Sequence, residues 1–590
     1  MIREPSLATR RLYLGALLVL SLTLKIIFLF KFSHYQHHLM SDMGGFWDRA
    51  NDRYHGEIFA IGQWLIVPVF YHLFLFQIFK IADFFGVFHY RLEIILVLSA
   101  LFSTLSVYFV YKIAKDLTHG FRRAFAASAL YAFCYPIIYF NTLVLSENLG
   151  IPLLILVTYL VFTFHASKRW MLLAGLLLGA AVSARLVFGI MGLVFFVYLC
   201  FGNKFSRRSV FCAVCFAAAF WGVMFFLIAE NLYVSKGELK GLASYQGFNV
   251  FMQFCKPHNA ISHYPGYGGE AYSNNPVFFD LHPEYGDFHT DRPFHDRDYY
   301  FKLGMDCMRS NPGIWMDNLK VLKGVFTGPL FPTFKEVAGY SWGISLFQRL
   351  TLFLSLSIGL FYACIRRGIS PSGAKITVLL APFFCTLLTG YFFTLEPRYL
   401  IPCLYGFYIV FFAMLPRLIE EWKKSILYYS GLLCIFLVFH AQGELEKKHW
   451  MKTFGTEQVR KFPLERAGKV SPDGTPGNQW GMFIMPTAKS AILLESKMPR
   501  SANQIEISTD SWDSYRVEFY LNERRLGEIF LPLEQPPAGG TFKRNLPMPE
   551  SLKGKPFNQI LVSPVQGDGV YSLAYLLLDP DVSRAKGAKA

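Results

Sequence analysis

The feature that most constrains this chain is a series of apolar blocks, each about 15 to 20 residues long, separated by short basic loops. A helix of about 20 apolar residues crosses the ~30 Å hydrocarbon core of a bilayer. Apolar residues make up 53% of the 590 positions and charged residues only 17%. The sequence therefore predicts a mainly α-helical, polytopic membrane protein. The first block, residues 12–31, has no small-residue cleavage site after it, which favours a retained helix over a signal peptide.

Six clusters of lysine and arginine occupy the loops, and the positive-inside rule places all six in the cytoplasm. They are Arg3, Arg10 and Arg11; Lys112, Lys115, Arg122 and Arg123; Lys168 and Arg169; Lys204, Arg207 and Arg208; Arg366, Arg367 and Lys375; and Arg417, Lys423 and Lys424. Much of the formal charge of +16 lies in these loops, so membrane topology accounts for it better than a nucleic-acid partner does.

About eleven membrane spans satisfy these six cytoplasmic clusters. The predicted spans are residues 12–31, 92–113, 124–140, 150–166, 171–184, 186–201, 209–228, 345–364, 375–393, 399–415 and 425–441. This arrangement predicts a cytoplasmic N-terminus and a C-terminus on the outer side.

One further apolar segment, residues 64–85, does not fit this count, because a crossing there would move every later basic loop to the outer side. Its many aromatic side chains suit a helix that lies in the outer interface of the membrane. We therefore predict interfacial helices in the first outer loop, with a transmembrane helix at 64–85 as the alternative.

The predicted domains follow from these spans. Residues 1–445 form the transmembrane domain, with outer loops at about 32–91 and 229–344, and residues 446–474 form a linker. Residues 475–582 contain alternating apolar and polar positions between turn signals, which predicts a small outer β domain of sandwich type. The tail, residues 583–590, is predicted to be disordered.

Two pairs of cysteines stand out. Cys255 and Cys307 share one outer loop, where an oxidising compartment would allow them to pair. Cys212 and Cys215 form a C-x-x-C pattern inside an apolar span, where we expect them to be small apolar fillers.

Charged residues gather where the predicted spans reach the outer surface. A charge retained at a membrane boundary is costly, so it is a candidate for function, although solvation at a helix end is the simpler alternative for each. Arg185 lies between two short apolar runs and could bind a phosphate bidentately, or could extend to the interface. The acids are Asp42, Asp48, Asp52, Glu147, Glu230 and Glu396, and Arg398 stands beside the last of them.

The order of several motifs resembles the type-C glycosyltransferase superfamily, with the nearest likeness to bacterial relatives of protein O-mannosyltransferases and of the lipid A aminoarabinose transferase. The resemblance covers roughly residues 10–440. The motifs are Asp42 in the first outer loop, Pro-x-x-Tyr-His-Leu from Pro68, Tyr-Arg-Leu from Tyr90, the outer Glu147, Gly-Leu-Leu-Leu-Gly-Ala-Ala-Val-Ser-Ala-Arg ending at Arg185, and Glu-Pro-Arg-Tyr-Leu-Ile-Pro from Glu396.

This resemblance implies roles for particular residues. Asp42 would be the general base and Glu147 a second catalytic acid that positions the acceptor or supports the base. Arg185, Arg398 and Lys323 would bind the phosphate of the donor. Trp47, Asp48 and Glu396 are assigned to acceptor binding.

The implied donor is a polyprenyl-phosphate sugar, and the implied acceptor is an envelope glycan, a lipid or a protein. Single displacement would invert the anomeric centre. The chain also departs from its relatives. The Lys-Pro-Pro of the aminoarabinose-type enzymes is replaced here by Leu-Ile-Val-Pro-Val, which leaves the phosphate to Arg185, Arg398 or Lys323. Met43 follows Asp42 where the mannosyltransferases have a paired Asp-Glu, so protein O-mannosylation is not implied.

No cofactor is expected. A divalent metal is the disfavoured alternative, because His34, His37 and His38 adjoin Asp42 without a recognised ligand spacing. The expected partners are the lipid-linked donor, the acceptor and membrane lipids, in a bacterial inner membrane with the β domain in the periplasm. A transporter or flippase of lipid-linked glycans remains the alternative function, and it would place charged residues at mid-membrane depth.

Overall fold

The structure of the protein is a computed structural model. It describes residues 4–33, 35, 41–56, 68–202, 206–234, 241–243, 247, 250, 254, 293–310, 313, 315, 371–392, 397–415, 459–464, 483–485, 491–510, 513–532, 541–566 and 571–579. The predicted spans at 345–364 and 425–441 and the predicted tail at 583–590 lie outside these residues.

The described part of the chain before residue 416 is mainly helical, as predicted. Its helices are α1 (Leu7–Lys31), α2 (Ser41–His55), α3 (Phe70–Phe84), α4 (Arg91–Thr118), α5 (Phe121–Ala132), α6 (Tyr135–Phe140), α7 (Glu147–Phe164), α8 (Lys168–Ala184), α9 (Gly189–Phe201), α10 (Arg207–Val234), α11 (Pro293–Ser310) and α12 (Pro371–Phe392). Short 3-10 turns occupy Phe88–Tyr90, Leu186–Phe188 and Pro397–Cys403.

Four described helical segments are long and apolar enough to cross a membrane: Leu7–Lys31, Phe88–Thr118, Glu147–Phe164 and Arg207–Tyr233. Leu186–Phe201, Gly373–Thr389 and Leu400–Leu415 are shorter apolar helices. The region predicted as one span at 124–140 is divided into α5 and α6. Pro136 lies in the first turn of α6, and because proline cannot continue a helix, α5 ends just before it.

Helices α1 and α4 run antiparallel, as contacts at both ends show. At one end the Tyr35 hydroxyl donates to Glu93 at the start of α4, at 2.9 Å. At the other end the Glu4 carboxylate accepts from the backbone N–H of Phe121, just beyond α4, at 3.2 Å. Helices α2 and α3 connect the end of α1 to the start of α4, so the connection leaves and rejoins the bundle at the same end.

Helix α8 packs very closely on α10, and two glycines permit this. Gly175 and Gly179 are one turn apart in α8, in a Gly-x-x-x-Gly pattern that allows helix backbones to approach within a membrane. A Cβ atom at Gly175 would overlap the carbonyl oxygen of Phe216 in α10. A Cβ atom at Gly179 would lie 2.7 Å from the Cβ of Val223. This packing fixes the position of α8, which leads into Arg185.

The C-terminal part of the chain forms two sheets. The strands are β1 (Val459–Pro463), β2 (Phe483–Met485), β3 (Ala491–Arg500), β4 (Gln504–Asp510), β5 (Ser514–Leu521), β6 (Arg524–Leu531), β7 (Thr541–Pro547), β8 (Phe557–Gln566) and β9 (Tyr571–Leu578). The first sheet has the order β1-β3-β8-β5-β6 and the second β2-β9-β4-β7.

Alternate positions in both sheets contribute to one hydrophobic core, as strand periodicity requires. Ile505 and Leu576 of the second sheet share this core with Val517 and Ile560 of the first. Strand β1 pairs in parallel with β3, so the sheet includes Val459–Pro463, which lie within the predicted linker at residues 446–474.

Cys307 of α11 is disulfide-bonded. Its partner lies outside the described residues, so its pairing with Cys255 stays a prediction. Cys212 is buried inside α10, in keeping with the role of an apolar filler.

Candidate active site

The best-defined charged pair joins the ends of α7 and α8. A short turn connects these antiparallel helices, so the first residue of α7 and the residue after α8 come to the same side. The Arg185 guanidinium lies 2.8 Å from the Glu147 carboxylate. The Glu147 side chain is 2% exposed and that of Arg185 is 19% exposed. Two residues far apart in the sequence therefore form a largely buried ion pair.

The backbone around this pair is well supported. Helix α8 ends at Ala184 because Arg185 adopts an extended conformation, with φ −148° and ψ 104°. In the first turn of α7, the Asn148 side-chain amide donates to the carbonyl oxygens of Phe140 and Leu143, which precede the helix, at 2.8 and 2.6 Å. A Cβ atom at Gly150 would lie 2.9 Å from the Phe188 ring, which shows how closely the two helix ends approach.

Helix α2 carries Asp42 in its first turn, and the structure describes the backbone but not the side chain of this residue. One turn later in α2, the ring of Phe46 packs edge-on against Tyr71 of α3, with centroids 5.0 Å apart. Tyr71 in turn lies near Glu147. Burial raises the pKa of the Tyr71 hydroxyl, and the negative charge of Glu147 raises it further. The start of α3 therefore lies between the Asp42 helix and the Glu147–Arg185 pair.

His72 is the next residue of α3, and it lies near arginines of α2. It is fully buried, and burial together with the positive charges of Arg49 and Arg53 lowers the pKa of its imidazole to about 3. The imidazole is consequently neutral at pH 7. Burial also lowers the pKa of the Arg53 guanidinium, and the carboxylate of Glu230 at the end of α10 opposes this effect. The predicted acid Glu230 thus reaches the same neighbourhood.

The two residues of α2 predicted to bind the acceptor differ in their surroundings. Trp47 packs against Phe79 of α3, with ring centroids 4.8 Å apart, and the Arg91 guanidinium lies 5.1 Å from its indole ring. Asp48 is exposed at the surface. The contact between Trp47 and Phe79 therefore holds α2 against α3.

The remaining predicted site residues are not described in full. Glu396 and Lys323 lie outside the described residues, as do His34, His37 and His38. The backbone of Arg398 lies in the Pro397–Cys403 turn, but its side chain is not described. Within the described part of the chain, no group of three or more histidine, cysteine or acidic side chains could hold a metal ion.

Four residues of this neighbourhood were not identified from sequence: Arg49, Arg53, Tyr71 and His72. A signal for the arginines was present, since residues 42, 46, 49 and 53 recur at helical spacing and share one face of α2. Tyr71 and His72 belong to the Pro-x-x-Tyr-His-Leu motif. The aromatic composition of this segment predicted an interfacial helix, and it gave no sign that Tyr71 lies near Glu147.

One comparison with known proteins bears on these elements. Residues 75–232 match the family model described as dolichyl-phosphate-mannose-protein mannosyltransferase. This match confirms the resemblance to type-C glycosyltransferases. The matched stretch extends from α3 into α10 and includes Glu147, Arg185 and Glu230, while Asp42 precedes it. No curated protein sequence matches the chain significantly. The family match and the apolar helices together support a membrane glycosyltransferase.

Proposed function

We propose that this protein transfers a sugar from a polyprenyl-phosphate donor to an envelope glycan, lipid or protein at the outer face of a bacterial inner membrane. The observation that carries the proposal is the buried Glu147–Arg185 pair, within the matched segment and next to the start of α3. An enzyme of this class needs an acid on the acceptor side and a cation on the phosphate side of its site. The pair supplies one group of each kind, and Arg185 is the member that we assign to the phosphate.

The proposed reaction is a single displacement. The Asp42 carboxylate removes the proton from the acceptor hydroxyl as its oxygen attacks the anomeric carbon. The bond from this carbon to the phosphate oxygen breaks, and the phosphate leaves with the electron pair. Attack from the face opposite the phosphate inverts the anomeric centre. No metal is required by this scheme, because guanidinium groups can stabilise the charge on the departing phosphate.

Arg185 can act on the phosphate while it remains paired with Glu147. A guanidinium has five N–H donors, and one carboxylate engages at most two of them. Arg185 is also the more exposed member of the pair, so a donor phosphate can approach its outer edge. Arg398 and Lys323 complete the proposed phosphate contacts, and Trp47, Asp48 and Glu396 the proposed acceptor contacts.

The proposed topology has about eleven spans, a cytoplasmic N-terminus and an interfacial α3. Two observations favour an interfacial α3. The connection through α2 and α3 returns to the end of the bundle that it left. Helix α3 has 15 residues and is therefore only roughly 22 Å long, less than the thickness of a hydrocarbon core. We further propose that the two C-terminal sheets form a periplasmic β-sandwich, favoured by their common core.

The alternative, a flippase of lipid-linked glycans, is favoured by one observation. Lys25 of α1 is 1% exposed, and its ammonium group donates to the Thr104 hydroxyl near the middle of α4, at 3.4 Å. An ionisable side chain at this depth is a feature of transport pathways. Loss of glycan translocation in Lys25→Met, with no sugar transfer by the wild type, would favour the flippase.

Reconstitution in vesicles with polyprenyl-phosphate mannose, glucose and galactose tests the proposal. We expect transfer from at least one donor, and a decrease of about 10²- to 10⁴-fold in kcat for Asp42→Asn. Asp116→Asn is a matched control, because Asp116 is a partly exposed acid near the end of α4 that lies away from α2. Unchanged transfer by a folded Asp42→Asn protein would remove Asp42 as the base. Failure of the wild type with every donor would remove this donor class.

A further inference from the structure

The first turn of α3 contains two adjacent buried side chains with unused hydrogen-bonding groups. Tyr71 is 1% exposed and His72 is 0% exposed. Within the described part of the chain, neither the Tyr71 hydroxyl nor either ring nitrogen of His72 has a hydrogen-bond partner. Leaving such groups unpaired in the interior is costly, so we expect a ligand or water to bind them.

The surroundings of these groups define what they could bind. Glu147, which acts electrostatically on Tyr71, is already neutralised by Arg185. His72 is neutral, because burial and the charges of Arg49 and Arg53 oppose its protonation. A phenol offers one donor and two acceptor positions, and a neutral imidazole offers one donor and one acceptor. The phenol and the imidazole are both uncharged, which suits hydroxyl groups of a sugar. The positive charges beside His72 belong to Arg49 and Arg53, and the Glu230 carboxylate acts on Arg53.

We propose that Tyr71 and His72 form a subsite that binds hydroxyl groups of the transferred sugar, beside the Glu147–Arg185 pair. This inference rests on the proposed function and extends it, because it assigns the sugar to α3 and leaves the phosphate to Arg185. Phe46 of α2 packs edge-on against the Tyr71 ring, so the helix that carries Asp42 in its first turn lies against the subsite.

Monodeoxy donors test the subsite directly. They are made from whichever of the polyprenyl-phosphate mannose, glucose and galactose donors the wild type uses best. A site that hydrogen-bonds a substrate hydroxyl rejects the analogue that lacks it. We expect the wild type to disfavour at least two of the monodeoxy donors by about 100-fold or more in kcat/KM. Equal use of all monodeoxy donors by the wild type would overturn the subsite without any variant.

Three variants at the two positions connect the rejected hydroxyls to the two side chains. Tyr71→Phe removes one oxygen atom and should abolish discrimination at one hydroxyl. His72→Phe should abolish it at another, and His72→Gln should restore part of it by supplying an amide. Tyr405→Phe is the matched control, because the buried Tyr405 hydroxyl already has a partner in Thr158 at 3.1 Å. It should keep the wild-type pattern.

The outcomes separate the two proposals. If the wild type transfers sugar but Tyr71→Phe and His72→Phe retain its full deoxy discrimination, the subsite is wrong while the proposed function stands. The subsite is also wrong if Tyr405→Phe changes the pattern as much as Tyr71→Phe does. If the wild type transfers no sugar from any donor, the proposed function fails, and the subsite fails with it.

Discussion

The Arg185 guanidinium lies 2.8 Å from the Glu147 carboxylate, although the two residues belong to opposite ends of a helical hairpin. Removing one member of a buried ion pair leaves an uncompensated charge, whereas removing both does not. Glu147→Gln or Arg185→Gln should therefore each lower the free energy of unfolding by about 3 kcal/mol, while the double variant should lose clearly less than the sum. Thermal unfolding of the two single variants and the double variant in detergent measures these losses of stability.

A pair whose acid is partly exposed provides the control for this double-mutant cycle. Lys375 and Asp116 form an ion pair in which the Asp116 side chain is 44% exposed. Water screens such a pair, so Asp116→Asn should cost less than about 1 kcal/mol. Additive losses for Glu147→Gln and Arg185→Gln would mean that the two charges are solvated separately.

The packing of α8 on α10 leads to a second prediction. Gly175→Ala should lower the free energy of unfolding by about 3 kcal/mol, because its Cβ would overlap the Phe216 carbonyl oxygen and must push the helices apart. Gly222→Ala is a matched control on α10, where a Cβ would meet no atom within 4 Å. It should leave stability unchanged or raise it by up to about 1 kcal/mol, because alanine favours helix. Equal effects of the two substitutions would contradict the close approach.

Arg91 at the start of α4 holds α2 against α3, which gives a third prediction. Its guanidinium lies 4.1 Å from the Phe88 ring centroid and 5.1 Å from those of Trp47 and Phe79. Arg91→Leu should cost about 2 kcal/mol, and Arg91→Lys should recover only part of it, because an ammonium group cannot stack on three rings.

Lys80→Ala serves as the control for Arg91. The Lys80 side chain is exposed and lies over one ring only, that of Phe76, so its loss should cost about 0.5 kcal/mol. If both substitutions have the same small effect in thermal unfolding, Arg91 does not anchor α2.

Sequence patterns predicted that Glu147 and Arg185 lie at helix ends on one side of the membrane, and the structure brings the two residues together. Apolar blocks mark where helices cross, charges mark where they end, and the short turn between α7 and α8 forces those two ends together. The same reasoning could not find Tyr71 and His72. Their surroundings depend on how α2 crosses α3, and contacts such as Phe46 with Tyr71 are set by packing rather than by local periodicity.

The structure differs from the predicted chain organisation at two places, and in each the cause is not visible in the local apolar pattern. The apolar pattern at 124–140 is continuous, but Pro136 interrupts the helix and separates α5 from α6. In the C-terminal region, alternation predicted most of the strands. Strand β1 was not among them, because a short segment such as Val459–Pro463 becomes a strand only through parallel pairing with β3, which lies well beyond it in the sequence.

The membrane topology gives the last prediction. If α3 were a full crossing, residue 122 would be on the outer side, opposite the N-terminus. The hydrogen bond from the Phe121 N–H to Glu4 instead keeps the start of α5 and the N-terminus together. The basic cluster around Arg122 then favours the cytoplasm for both.

Labelling of cysteines introduced one at a time measures this arrangement in cells whose outer membrane is permeable and whose inner membrane is intact. A membrane-impermeant maleimide should label Arg524→Cys, on an exposed β-hairpin, but should label Arg122→Cys only after the inner membrane is opened. The parent protein, whose described cysteines are mostly buried, gives the background. Labelling of Arg122→Cys in intact cells would make α3 a membrane span. It would also move Lys168 and Arg169 to the outer side and invert the α7–α8 hairpin, which would place Glu147 and Arg185 on the cytoplasmic side, away from the proposed outer site.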